Sequence, residues 1–437
     1  MRTSPLPRHV LGVTCAAAMF AGCGGLRPAP DGMQPPIGAS ETIPLHPALE
    51  RVVHSFAGGN DGADPNAAPI LIGRDLYGTT ALGGNGGCRF VHGCGIAYKV
   101  SLLGQERVLH VFTSGTDGEA PTAALTDLGG VLFGTTVYGG GSGCKSGHVK
   151  GCGTVFELTP KGKEHVQSRL PGGAKGANPD SQLTFFNGAL YGEAAAGGTG
   201  KCYYAQTPGC GLIFKITPSG NVSILYAFKG GKDAGTPSGG LLLYNGNFYG
   251  TTTAGGSSRC YFSYGCGTVF KMTPSGTETI LHRFKGSWND GALPASGLAM
   301  LNGNLYGTTI SGGNHNCGLT YYLPCGSVFE VTLSGEERII YNFQGGADGQ
   351  SPNGLIAVGD ELYGTTASGG RGCAQGPGCG ILFKMTPSGE ETIVYQFKGA
   401  PDASGPDSGL IEVRGTLFGT SGGGGSNGNG TVYAVTP

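Results

Sequence analysis

Charge is scarce in this chain. Only 13% of its 437 residues are Asp, Glu, Lys or Arg, and the formal net charge is −1. No basic patch or run stands out, which argues against a nucleic-acid partner. Tryptophan occurs once, at Trp288. No segment carries a convincing helical period. No G-x-S-x-G nucleophile elbow, H-E-x-x-H helix or phosphate-binding loop is legible, so no catalytic constellation emerges. Nothing points to a cofactor, and C-x-x-C zinc knuckles are missing. Val10 to Ala21 is a mostly apolar stretch of about a dozen residues, too short to cross a membrane as a mature helix.

What the chain does have is glycine and repetition. It holds 88 Gly and 26 Pro, about a quarter of its length. Leu-Tyr-Gly-Thr-Thr and its variants place an aromatic-glycine pair at Tyr77, Phe133, Tyr191, Tyr249, Tyr306, Tyr363 and Phe418, at intervals of 55 to 58 residues. Such units exceed solenoid hairpins and match four-stranded propeller blades. The glycines fall at fixed phases beside β-branched and aromatic residues, as turns and bulges between short strands. The expected fold is all-β, a seven-bladed β-propeller of four-stranded antiparallel blades over residues 49–437.

Residues 353–398 give the template blade. The runs 353–358, 361–367, 380–386 and 391–397 read as strands A, B, C and D, with Ile393, Tyr395 and Phe397 alternating onto one face. The last unit stops after strand C, at 430–437. Its missing strand D stands at the other end, at 51–56, with the pattern of 106–112. The N-terminal strand should therefore complete the last blade and leave no free sheet edge.

The apolar strand A, aromatic strand B and following double glycine resemble kelch-type propellers. The recurring GTT..GG…GCGTVFK.TPSG phrase resembles, more specifically, the choice-of-anchor tandem-repeat family of bacteria of the GloVer type, over about residues 49–437. That resemblance implies an exported, surface-associated protein. It brings no established activity and no catalytic residues.

Other features point to export. Arg2 and Arg8 precede the apolar stretch, as in a signal peptide over 1–22. The stretch ends in Met19-Phe20-Ala21-Gly22-Cys23, which resembles a bacterial lipobox, with Phe20 where that motif prefers Leu. The resemblance implies a lipid on Cys23, and Gly24 after it favours the outer membrane or cell surface. An ordinary cleaved signal, giving a periplasmic or secreted protein, is the alternative. Residues 23–48 read as a Pro/Gly-rich tether. Twelve further cysteines form six local pairs at one place in six repeats: Cys88/Cys94, Cys144/Cys152, Cys202/Cys210, Cys260/Cys266, Cys317/Cys325 and Cys373/Cys379. In an exported chain these read as six short disulfides. Cross-blade pairing or metal ligation is the alternative.

Alternating strand direction puts the D–A and B–C loops on one face of the disc. That face carries the cysteine loops and a repeated Asp-x-x-x-Pro spacing, with Asp61, Asp117, Asp233, Asp290, Asp348 and Asp402 expected to cap turns. Candidate ligand-binding residues on it are Tyr203, Tyr204, Tyr261, Phe262, Tyr264, Tyr321 and Tyr322. They form an aromatic arc for a sugar or peptide, or alternatively rings that fold back onto neighbouring loops. The first two cysteine loops instead carry His92, Lys145, His148 and Lys150. Unit three departs twice: Lys175 replaces the loop Asp, and Glu193 replaces the first Thr of Gly-Thr-Thr. The two changes suggest a compensating ion pair.

The leading expectation is a non-catalytic binding or scaffold module on the cell envelope, with a glycan or an extracytoplasmic protein or peptide as partner. Its membrane contact would come only through the lipid anchor. A glycosidase or lyase with acidic residues at the channel mouth, and a subunit of an envelope assembly complex, are the alternatives.

Overall fold

Short runs of alternating apolar and polar residues, each ended by a glycine turn, build seven antiparallel sheets. The computed structural model describes residues 49–84, 88, 93–141, 143–146, 149–204, 207–256, 260, 265–286, 290–313, 325–373 and 377–437. Cys23, the signal and the tether lie outside these. Six blades are continuous in sequence, each ordered A-B-C-D from the centre outward. Blade 6 is typical: strands Gln350–Val358, Glu361–Ser368, Ile381–Met385 and Glu391–Gln396. Blade 7 takes its outer strand, Leu49–Ser55, from the start of the chain, paired antiparallel with Thr431–Thr436. The ring is closed as the repeat phase requires. Among the described residues, helix is limited to three single 3-10 turns.

Glycine is required at one position of every strand B. A Cβ on Gly78, Gly134, Gly192, Gly250, Gly307, Gly364 or Gly419 would collide with the strand-C ring of its own blade, from Tyr98 in blade 1 to Tyr433 in blade 7. Seven apolar clusters fill the gaps between adjacent blades. In six of these gaps a strand-D aromatic meets the strand-C ring of the next blade edge-on, at 4.9–5.4 Å: Phe56–Tyr98, Phe112–Phe156, Phe228–Phe270, Phe284–Phe329, Phe343–Phe383 and Phe397–Tyr433. Such pairs add about 0.5–1.5 kcal/mol each beyond area burial. Blade 2 ends in the buried Leu170 instead.

Strand D carries a bulge against strand C in every blade. This corrects the simple alternation expected for strand D. One extra residue reverses the side-chain phase, so Ile393 packs into the blade 5–6 gap while Tyr395 and Phe397 pack into the blade 6–7 gap.

The disulfide loops join neighbouring blades through their backbone. In blades 2 to 7 the residue before the loop Pro has positive φ and donates its N–H to the second cysteine carbonyl of the preceding blade. Ala120 to Cys94, Asn178 to Cys152 and Thr236 to Cys210 span 2.7–2.9 Å. Asp64 makes the same bond to Asn429, 3.0 Å, across the closing junction.

Candidate functional site

The segments that lead into the seven A strands, with parts of some of those strands, line a central cavity of about 740 Å³. Much of the wall is Ala or Gly, such as Ala67, Ala123, Gly239 and Gly354, which keeps it wide. Polar groups enter it chiefly from the residue after each loop Pro: Asn66, Thr122, Asp180, Ser238, Asn353 and Asp407.

Two carboxyl residues, Asp180 and Asp407, lie on this wall, and Asp64 stands behind the second. At the closing junction, Asn66 with its amide oriented to satisfy both neighbours donates to Asp64 Oδ1 at 3.0 Å and Asp407 Oδ2 at 3.1 Å. Desolvation within the ring, and then the Asp64 charge, hold the Asp407 carboxyl well above its usual range. Asp407 is exposed on the cavity side. Desolvation also raises Asp64. In blade 3, Tyr204 donates its hydroxyl to Asp180 Oδ2 at 3.3 Å. Desolvation pushes Asp180 up to about 7 despite that bond. A carboxyl that keeps its proton donates as well as accepts hydrogen bonds.

Of the expected aromatic arc, Tyr204 is turned inward. It packs on the blade 2–3 core and lines the cavity. Tyr203 pairs with Pro208 in a two-stranded ribbon. Tyr261, Phe262, Tyr264, Tyr321, Tyr322, His92 and His148 lie outside the described residues. Lys145 sits in a short ribbon, and Lys150 is exposed. Disulfides join Cys88–Cys94, Cys144–Cys152, Cys202–Cys210, Cys260–Cys266 and Cys373–Cys379, with Cα separations of 4.7–5.6 Å. Cys325 is disulfide-bonded, and Cys317 lies outside the described residues. The D–A glycines Gly172, Gly230, Gly286 and Gly399 lie against these sulfurs, which puts the two loop sets on one face.

The loop aspartates cap their turns, as expected. Asp61, Asp117, Asp233, Asp290, Asp348 and Asp402 each accept a backbone N–H at 2.6–2.9 Å. Each also meets a His or Tyr of the preceding strand D and is close to a Glu of the next blade: His54–Asp61–Glu106 is one such set. At the blade 2–3 junction all three places change together, to Ser168, Lys175 and Val222.

That corrects the ion pair expected between Lys175 and Glu193. Lys175 is exposed, whereas Glu193 is fully buried and bonds elsewhere. Its Oε2 accepts the Gly240 N–H at 2.9 Å and its own N–H donates to Ser181 Oγ. Desolvation, offset by the Gly240 bond and reinforced by the Asp180 charge, pushes its carboxyl up to about 8. In other blades the first Thr hydroxyl spans the same gap by donating to a carbonyl, as Thr251 does to Ser296 at 2.9 Å.

Asp64, Asn66, Asp180 and Asp407 escaped the sequence reading. A signal existed: the position after each repeated Pro is polar in six of seven units. G-x-S-x-G does occur, at 419–423 and 424–428, but as no nucleophile elbow. Ser421 lies in a strand, with its hydroxyl bonded to Gly423 O and Thr431 Oγ1.

None of the curated proteins matches the chain. Similar solved structures include puromycin hydrolase (11% identity, TM-score 0.47, 83% of this chain and 50% of that one). A gluconolactonase from Xanthomonas campestris is another (12%, 0.36, 65% and 78%), as is the tricorn protease (12%, 0.40, 81% and 27%). This chain thus spans about a quarter of the tricorn protease. Likeness at this level carries no argument about activity. The model of the Gloeobacter/Verrucomicrobia repeat matches residues 144–324 and 261–437, well over half of the chain, and the protein belongs to that repeat family.

Proposed function

We propose that this is an exported binding propeller that takes a polyhydroxylated ligand, a glycan or a fragment of one, in its central cavity. The observation that carries the reading is two polar clusters on the wall of one cavity of about 740 Å³, Asn66–Asp407, with Asp64 behind it, and Asp180–Tyr204. That size suits a small ligand. Sugar hydroxyls need a donor and an acceptor together, and carboxyls with raised pKa beside amide and phenol groups supply both. The disulfides fit an oxidising compartment. Cys23 is the proposed lipid site, and Cys23→Ser should release the protein from the membrane fraction. Glycan-array binding followed by calorimetry tests the ligand. Asp180→Asn and Asp407→Asn should each weaken a hit at least tenfold; unchanged affinity in both would sink the proposal.

A hydrolytic reading rests on the Asp64–Asp407 contact alone, since paired carboxyls titrate apart and can serve as acid and base. Release of shortened sugars from any bound glycan, lost in Asp64→Asn, would favour it.

A further inference from the structure

We infer that two blade junctions are sites for a divalent transition-metal ion. One is built from His110, Asp117 and Glu164, the other from His282, Asp290 and Glu337. In each, the donor atoms all lie within 4.8 Å of one another. Each site joins three chain segments: strand D of one blade, the D–A loop, and strand D of the next blade.

The His–Asp distances are those of hydrogen bonds, and they also match two ligands of one ion. His110 Nε2 stands 3.2 Å from Asp117 Oδ1, and His282 Nε2 stands 3.3 Å from Asp290 Oδ1 and 4.0 Å from Glu337 Oε2. Ligands bound at 2.0–2.1 Å around a tetrahedral zinc are roughly 3.3–3.4 Å apart. Where Tyr occupies the same place, its hydroxyl donates to the loop Asp at 2.5 Å in Tyr341–Asp348, 2.9 Å in Tyr395–Asp402 and 3.2 Å in Tyr226–Asp233. Those junctions lack the imidazole that would complete the donor set.

The remaining bonds leave room for a metal. Asp117 Oδ2 is held by the Thr113 N–H at 2.8 Å, and Asp290 Oδ2 by the Lys285 N–H at 2.9 Å, which orients each carboxylate. Glu164 Oε1 and Glu337 Oε1 are shut off from water and have no hydrogen-bond partner. A neutral imidazole and two carboxylates carry two negative charges, which a divalent ion cancels. Arg169 and Lys285 stand near Glu164 and Glu337 and offset part of that charge. One imidazole with two carboxylates suits zinc or manganese, with water in the open position. The closing junction repeats the residue types with His54, Asp61 and Glu106, but their donor atoms do not converge as closely.

The test is calorimetric titration of untagged, EDTA-stripped protein with zinc chloride. Saturation at two zinc ions per chain, with micromolar or tighter affinity and a rise in melting temperature, is expected. His110→Tyr and His282→Tyr install the residue the fold already uses at Tyr226 and Tyr341, and each should remove one site. X-ray absorption of the loaded protein should show oxygen and nitrogen neighbours only. No saturable binding, a stoichiometry unchanged by both substitutions, or sulfur neighbours would overturn the inference.

Discussion

In each blade one absent methyl group lets strand B lie flat against an aromatic ring. At Gly364 a Cβ would stand 2.7 Å from both Phe383 Cζ and Leu355 Cδ2. Phe383 is fully buried and meets Phe343 edge-on, so it has nowhere to retreat. Gly364→Ala should cost about 1–3 kcal/mol, the usual range for overpacking. The loss should appear as a lower denaturation midpoint at unchanged slope; wild-type stability would contradict it. The same scale shows why Lys175 was misread. Its change accompanies those at Ser168 and Val222, which hold the places of the His or Tyr and the Glu in the other repeats, and sequence order presents Glu193 as the nearer oddity.

Between elements, six strand-D glutamates pack beside the loop aspartates of the preceding junction. Glu106, Glu164, Glu278 and Glu391 are pushed up to about 7, by desolvation first and then by Asp61, Asp117, Asp233 and Asp348. Glu50 reaches about 8 through desolvation and then Asp402, and Glu337 is raised too. A folded pKa above the unfolded value of 4.5 means that the folded state binds more protons between the two. Stability from these groups is therefore full below about pH 4.5 and is lost as pH rises through 7 to 8. Melting temperature in EDTA should fall between pH 5 and pH 8.5, by roughly 5 °C or more for several such groups. Replacing Glu106, Glu164, Glu278 and Glu391 with Gln should flatten the curve; a flat wild-type curve would refute the reading. Strands, turns and their order were legible here because periodicity and glycine are local signals. The strand-D bulge was not, since it depends on pairing with strand C.

For the whole molecule, the decisive contact joins the two ends. The pairing of Leu49–Ser55 with Thr431–Thr436, the Phe56 N–H to Gly430 O at 3.0 Å, and Thr420 Oγ1 to Ala67 O at 3.1 Å bind blade 7 to the first residues of the disc. Deleting residues 49–56 exposes the edge of 431–436 and uncovers Tyr98, the ring that Phe56 meets. The loss should exceed about 5 kcal/mol, beyond most single lesions. Size-exclusion chromatography should show concentration-dependent oligomers formed through the free edge. A monomer with wild-type melting temperature would show that the ring does not depend on this strand.

By itself the sequence determined the number of blades, the strand order, the position of closure and the partners in five cysteine loops, because each is written in spacing along the chain. Only the tertiary structure brought the residues of the candidate site together. Asp64 meets Asp407, and Glu50 meets Asp402, across almost the whole length of the chain. Each pair's chemistry arises from proximity and lost solvent, and a linear order of residues records neither.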